Sequence, residues 1–172
     1  GAERTALLKA YGSEKAAAKD PLRFISFACN RRLTPATKVQ LVYGKGIATP
    51  SGVPNSVEKR FAFQVREPFS ASFSCERANA QAACLPIRPM VLAFNAPVPR
   101  ALAEAIRLKS DKLNLQPQFE QEESKDALVT GVQFKQVFPE QTAFTLELPR
   151  DFKDASGRAL RNADNFPLKV GT

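Results

Sequence analysis

Residues 39–52 read VQLVYGKGIATPSG, and residues 144–157 repeat the pattern as FTLELPRDFKDASG. At this offset of 105 positions (39 to 144), apolar residues at every second position meet apolar residues, and a Ser-Gly pair meets a Ser-Gly pair. Without a gap, the alternating run at 61–65 then meets the alternating run at 166–170. A period of two predicts β-strands that bury one face. The sequence therefore contains one strand–turn–strand pattern twice.

In each copy, an apolar residue and a glycine turn follow the first strand. Ile47 in the first copy meets Phe152 in the second, and Gly52 meets Gly157. We expect Ile47 and Phe152 to be buried plugs, and the two glycines to form turns, because glycine adopts positive φ without steric cost. A phosphate-binding loop, Gly-x-x-x-x-Gly-Lys-Ser/Thr before a helix, is not predicted, because Lys45 is followed by glycine and no helical pattern follows.

Alternating apolar runs separated by Pro or Gly extend over most of the chain, whereas residues 2–11 read as a short helix. This pattern is typical of an all-β protein. We predict two Ig-like β-sandwich units in tandem, 1–86 and 87–172, joined by a short linker that contains proline. At the repeat offset, the counterpart of the strand near Met90 would precede residue 1, so we expect the first unit to lack its opening strand. The alternative is an intact domain in which the helix replaces that strand.

The three cysteines raise the question of a disulfide. Cys75 and Cys84 flank ERANAQAA, a polar stretch of small residues that reads as a loop. We predict a disulfide that closes this loop, which would imply an oxidising compartment; two free thiols are the alternative. Cys29 then remains as either a small core residue or a cysteine whose partner lies outside this chain.

Composition excludes several classes of function. The 172 residues carry a formal net charge of +8 and contain no histidine, which excludes Ser-His-Asp and Cys-His catalysis and histidine-ligated metals. The basic residues are scattered, which favours a solvated surface of mixed charge over a nucleic-acid-binding face. No apolar run approaches the roughly 20 residues of a transmembrane helix. We therefore expect no nucleic-acid partner and no membrane span in this segment.

Two groups of acidic residues are the remaining candidates for chemistry. The segment QPQFEQEESKD at 116–126 could supply paired catalytic carboxylates, but its polar, unpatterned sequence favours an exposed loop. Asp151 and Asp154 could supply oxygen ligands to calcium, but Arg150 and Lys153 are interleaved with them and disfavour a cation. We therefore predict that the chain is not an enzyme and has no catalytic, cofactor-binding or metal-binding residue. The acidic residues of the first group are Glu120, Glu122, Glu123 and Asp126.

Four segments are similar to the N-terminal region of bacterial alpha-2-macroglobulin-like proteins: VQLVYGKGIATPSG, FAFQVREPFSASFSCER, CLPIRPMVLAFNAPVP and FKDASGRAL. The stretch from Met90 to Val98 and the turn from Asp154 to Gly157 also resemble bacterial Ig-like domains. The family resemblance implies a large periplasmic or envelope-attached protein built from β-sandwiches, some members of which trap proteinases. Many members carry a thioester in a Cys-x-Glu-Gln motif. Cys75 is followed by Glu-Arg-Ala and Cys84 by Leu-Pro-Ile, so neither fits that motif.

The resemblance implies a non-catalytic segment that scaffolds an envelope protein or contributes to proteinase trapping, that is, to endopeptidase inhibition. Its partners would be other domains of the same chain, and proteinases would bind through other parts of the whole protein. An adhesin or a cell-wall-binding Ig-like module is the alternative, since a basic surface suits anionic wall polymers.

Overall fold

The computed structural model describes residues 2–27, 29–119 and 127–172. In this part of the chain β-strand is the main regular secondary structure, with 34% strand and 14% helix. The strands form three antiparallel sheets. These features agree with the predicted all-β class. The chain divides into two compact units, Gly1–Arg66 (unit 1) and Glu67–Thr172 (unit 2).

Unit 1 begins with two helices and continues with a β-hairpin. Its elements are α1 (Ala2–Ala10), α2 (Glu14–Lys19), a 3-10 turn (Pro21–Arg23), β1 (Lys38–Tyr43) and β2 (Lys59–Gln64). Helix α1 confirms the helix predicted for residues 2–11. Helix α2 ends before Asp20, which has φ −141° and ψ 83°, because Pro21 disfavours helical geometry in the residue before it.

The hairpin of unit 1 has one apolar and one polar face, because alternate residues of a strand point to opposite sides. Leu41 lies opposite Phe61, and Val39 lies opposite Phe63. These four side chains share one side of the hairpin, which we call the open face. The other side carries mostly polar side chains, among them Lys38, Gln40, Arg60 and Gln64.

Unit 2 contains seven strands within the described residues. They are β3 (Ala71–Cys75), β4 (Met90–Pro99), β5 (Arg107–Lys109), β6 (Asn114–Leu115), β7 (Leu128–Phe134), β8 (Ala143–Glu147) and β9 (Leu168–Gly171). A short helix, α3 (Arg100–Glu104), follows β4, and a 3-10 turn, Ala163–Asn165, precedes β9. The strands form one sheet in the order β3-β4-β7 and a second in the order β6-β5-β8-β9.

The two sheets of unit 2 share one hydrophobic core. Leu92 and Val132 come from the three-stranded sheet, and Leu108 and Leu146 come from the four-stranded sheet; all four are buried in the same cluster. Strand β4 illustrates how a sheet contributes to this core, because its buried residues alternate with more exposed ones along the strand. Two antiparallel sheets that bury their facing sides in this way form a sandwich-like arrangement.

The division between the units differs from the predicted one at 86/87. Strand β3 pairs with β4 from Ala71 opposite Phe94 to Cys75 opposite Met90, so the predicted boundary lies inside unit 2. Phe69, just before β3, is also buried in the core of that unit. Alternation in a sequence marks a strand but does not identify its partner, which is why the boundary could not be placed from the pattern.

Unit 1 does not form the incomplete sandwich that we expected for residues 1–86. In its described residues, the only sheet is the β1–β2 hairpin, and all six residues of β2 are exposed. A sheet buries its apolar face only against a second layer. Once β3 belongs to unit 2, the described part of unit 1 has no strand left to build that layer.

Candidate functional site

The two sequence copies have positive φ at matched positions, one just before the first strand and two in the loop that joins the strands. Three pairs of residues, each 105 positions apart, have positive φ. For non-glycine residues a positive φ is uncommon, so its recurrence at matched positions is specific evidence for a repeated hairpin. The pairs are Ala36 (60°) with Gln141 (50°), Gly46 (82°) with Asp151 (58°), and Gly52 (82°) with Gly157 (73°).

Hydrogen bonds in the two loops also correspond. The Thr49 amide donates to the Val53 carbonyl at 3.0 Å, and at the matched positions the Asp154 amide donates to the Arg158 carbonyl at 3.1 Å. The isolated bridge between Ala48 and Pro54 has its counterpart between Lys153 and Ala159. The same turn is therefore present in both copies, with positive φ at Gly52 and Gly157.

The strands on either side of the loops correspond with one difference. At the repeat offset, the pair Leu41 and Phe61 would become Leu146 and Phe166, but Leu146 pairs with Leu168. A shift of two residues keeps every side chain on its original face. Phe144 and Leu146 are accordingly buried in unit 2, where they match the positions of Val39 and Leu41.

The plug residues behave differently in the two copies. Phe152 is 6% exposed, and its ring centroid lies 5.3 Å from that of Phe94 and 5.9 Å from that of Phe69. Ile47, at the matched position, is 43% exposed. The prediction of a buried plug is confirmed for Phe152 and is wrong for Ile47. The reason is that Phe152 packs against residues from the region of β3 and β4, and the described part of unit 1 contains no second sheet.

The open face is the candidate binding site that follows from this comparison. Phe61 and Phe63 are exposed on it, whereas Val39 and Leu41 are partly buried. Aromatic and aliphatic side chains grouped on one exposed side of a hairpin favour association with another apolar surface. These four side chains are uncharged and form an apolar surface, next to which Tyr43 and Lys59 lie opposite each other on the same side of the hairpin.

The loop of unit 2 contains one buried charge. The Asp154 side chain is 1% exposed, and its Oδ2 accepts a hydrogen bond from Arg158 Nε at 2.6 Å. Its Oδ1 accepts from the amides of Ser156 at 3.0 Å and Arg158 at 2.8 Å. Arg158 Nη1 also donates to the Glu67 carbonyl at 2.8 Å. The Asp154 carboxylate therefore stabilises the loop and holds Arg158, and Arg158 in turn bonds the loop to the start of unit 2.

The environment of Asp154 sets its protonation. Burial by itself would raise the pKa of this carboxyl group, but the hydrogen bonds from Arg158 and Ser156, together with the Arg158 charge, outweigh burial and lower the pKa below its ordinary value. Because these donors occupy both oxygens, Asp154 is poorly placed to ligate calcium with Asp151. Within residues 2–27, 29–119 and 127–172, no group of three or more Cys, Asp and Glu residues is arranged to hold a metal ion. Glu120, Glu122, Glu123 and Asp126 lie outside the described residues.

The predicted disulfide is present. Cys75 and Cys84 are bonded, with their Cα atoms 5.6 Å apart. Cys75 ends β3 in one sheet, and the amide of Cys84 donates to the carbonyl of Gly171 at the end of β9 in the other. The bond thus joins the loop between β3 and β4 to both sheets. Cys29 is free and exposed, so it is not the small core residue that was one of its two predicted roles.

Two surface depressions lie on the described part of unit 2. One, about 460 Å³, lies against the outer side of β4 and β7 near Phe119. The other, about 480 Å³, lies beside the loop after β8, and its titratable lining residues among those described are Glu147 and Asp151. Both of these carboxylates are exposed or half-buried. Neither depression brings together a nucleophile and a base from the described residues.

Comparisons with known proteins do not identify the chain: no family model matches it, and neither a curated protein nor a solved structure matches it significantly. In the part of the chain that the structure describes, no helix is long and apolar enough to cross a membrane.

Proposed function

We propose that residues 1–172 are a non-catalytic β-sandwich segment of a bacterial alpha-2-macroglobulin-like envelope protein, in which they position other domains and contribute to proteinase trapping. Unit 2 is the Ig-like domain of this proposal, and the hairpin of unit 1 belongs to a second domain of the same kind. The observation that carries the proposal is the turn that recurs at an offset of 105 positions, because self-similarity at a fixed offset indicates an array of similar units.

A non-catalytic role is supported by the state of the polar groups. The buried carboxylate, Asp154, is fully engaged by Arg158 and by backbone amides, which is the pattern of a structural ion pair. The chain also contains no histidine to serve as a base. The open face adds an apolar surface suited to binding a protein.

A periplasmic or envelope location is supported by the bond between Cys75 and Cys84. Disulfides persist in oxidising compartments and are rare where thioredoxin and glutathione keep thiols reduced. The bond is therefore consistent with export to an oxidising compartment.

The test of this function uses the full-length gene product that contains residues 1–172, isolated from the cell envelope and mixed with an endopeptidase. A proteinase enclosed by a trap should keep its activity on a small chromogenic peptide and lose at least tenfold of its activity on a large protein substrate. Residues 1–172 alone should leave both activities unchanged, because the proteinase is held by other parts of the protein. If the full-length protein changes neither activity, trapping is ruled out; if residues 1–172 inhibit alone, the assignment to other parts is wrong.

Binding of anionic cell-wall polymers is the alternative, and the net charge of +8 favours it. Such binding should be retained at low salt and weaken steeply at about 0.2 M salt, since surface charges are screened. A sedimentation assay with purified cell wall measures this directly. Absence of binding at low salt, or binding that salt does not weaken, would exclude this alternative.

A further inference from the structure

The two cysteines of the disulfide differ in their access to solvent. Cys84 is 2% exposed and belongs to the hydrophobic core of unit 2, whereas Cys75 is only partly buried and packs against that core. A reagent that takes part in thiol–disulfide exchange must reach the sulfur with which it reacts. Cys75 is therefore the more accessible of the two reaction partners.

A positive charge lies beside the Cys75 sulfur. Nε of Arg77, an exposed residue, donates a hydrogen bond to Cys75 Sγ at 3.4 Å. The neighbouring carboxylate, Glu76, pairs with Arg88 at 3.0 Å, which offsets its negative charge. In the reduced chain, the charge of Arg77 favours the thiolate form of Cys75, and burial among apolar side chains disfavours the thiolate of Cys84. The reactive form of the thiol is thus concentrated at Cys75.

The backbone positions the two cysteines independently of the bond between their sulfurs. Cys75 lies opposite Met90 in the ladder between β3 and β4. The Cys84 amide donates to the Gly171 carbonyl at 2.8 Å, and Cys84 also forms an isolated antiparallel bridge with Arg77. None of these contacts involves a sulfur atom, so we expect them to keep the two thiols adjacent after reduction.

We propose that Cys75 is the entry point for thiol–disulfide exchange with a low-molecular-weight disulfide, and that Cys84 is the resolving cysteine. The Cys75 thiolate attacks one sulfur of the oxidant, a mixed disulfide forms at Cys75, and the other half of the oxidant leaves as a thiolate. Cys84 then loses its proton and attacks the Cys75 sulfur, which closes the native bond. The second half of the oxidant leaves as a thiolate and takes up a proton.

The electron balance of this sequence is complete, because two protein thiols are oxidised to one disulfide and the oxidant is reduced to two thiols. The inference depends on the surroundings of Cys75 and Cys84 and not on proteinase trapping, so each proposal can fail without the other.

The test uses the 172-residue chain with Cys29→Ser, reduced and then mixed with glutathione disulfide. In this background, Cys84→Ala should accumulate a stable glutathione adduct at Cys75, because the resolving thiol is gone. Cys75→Ala should form its adduct, at Cys84, at least tenfold more slowly. Both variants lack the disulfide, so their rates are directly comparable by mass spectrometry. Equal rates, or a faster reaction at Cys84, would overturn the proposal.

Alkylation supplies a readout in which both cysteines are retained. In the reduced Cys29→Ser chain, limiting iodoacetamide should label Cys75 at least tenfold faster than Cys84, as measured by peptide mapping. Equal labelling of the two would contradict the proposal. Loss of the β-sheet signal in circular dichroism on reduction would also contradict it, because the proposal requires the backbone to hold the two thiols in place.

The matched variants for the charge are Arg77→Gln and Arg161→Gln, both at exposed arginines and both in the Cys84→Ala chain. Arg77→Gln should slow formation of the glutathione adduct at Cys75 at least threefold at neutral pH, because it removes the charge that favours the thiolate. Arg161→Gln changes the net charge equally and should leave the rate unchanged. Equal rates for the two variants would contradict the proposed activation of Cys75.

Discussion

Phe152 and Phe94 lie with their ring centroids 5.3 Å apart, and this contact joins the loop after β8 to the central strand of the opposite sheet. We expect Phe152→Ala to lower the free energy of unfolding of unit 2 by about 3–5 kcal/mol, since it removes a buried aromatic ring and leaves a cavity. Urea unfolding followed by circular dichroism measures the change.

The matched control is Ile47→Ala, at the equivalent position of the first copy. Because Ile47 is exposed, this substitution should change stability by no more than about 0.5 kcal/mol. Equal losses for the two variants would show that Ile47 is also buried, in contradiction to the structure.

Asp154→Asn tests the buried ion pair. The pKa of Asp154 is lowered in the folded state, so its stabilising contribution is present above its unfolded pKa, near 3.8, and is lost as the pH falls through the folded pKa. At about pH 7 we expect the variant to be less stable by roughly 3–5 kcal/mol, because Arg158 loses its charged partner. The difference between variant and wild type should shrink below the unfolded pKa in urea titrations across the acid range.

Asp111→Asn, on an exposed carboxylate, is the control for Asp154→Asn and should change stability by less than about 0.5 kcal/mol at each pH. A difference for Asp154→Asn that stays constant down to strongly acidic pH would mean that the lost interaction does not involve the charge of Asp154.

The disulfide predicts the reactivity of the three cysteines. Without reductant, iodoacetamide should label Cys29 alone, since Cys75 and Cys84 are bonded to each other. Reduction should lower the free energy of unfolding of unit 2 by about 2–3 kcal/mol in the chain-entropy description of a short loop. Mass spectrometry counts the labels, and three labels under native, non-reducing conditions would contradict the bond. Cys29→Ser should leave stability unchanged.

Gly157 tests the turn shared by the two copies. It has φ 73° and open space around the position of a Cβ atom, so Gly157→Ala meets no clash but forces alanine into the left-handed region. We expect a loss of roughly 1–2 kcal/mol. Gly171→Ala is the control, because Gly171 also has open space and its φ lies outside that region; it should cost nothing measurable. Thermal unfolding measures the stability of both variants. Equal losses of stability for Gly157→Ala and Gly171→Ala would contradict the positive-φ turn at Gly157.

Much of unit 2 could be predicted because its signals are local. The alternation at Phe144 and Leu146 marked a strand and its buried face, Gly157 marked a turn that needs positive φ, and the short polar loop between Cys75 and Cys84 indicated a disulfide. Each depends on residues close together in the chain. The positive φ of Asp151 and Gln141 was not predicted, because neither is a glycine; the repeat offset from Gly46 could have pointed to Asp151.

The sequence alone determined where the strands lie, which side of each is apolar and that one hairpin occurs twice. Only the tertiary structure decided that β3 pairs with β4, that the units divide between Arg66 and Glu67, and that Phe152 is buried whereas Ile47 is exposed. The physical reason is that alternation records which side of a strand prefers an apolar neighbour. Whether that neighbour is present depends on long-range pairing, which no local pattern contains.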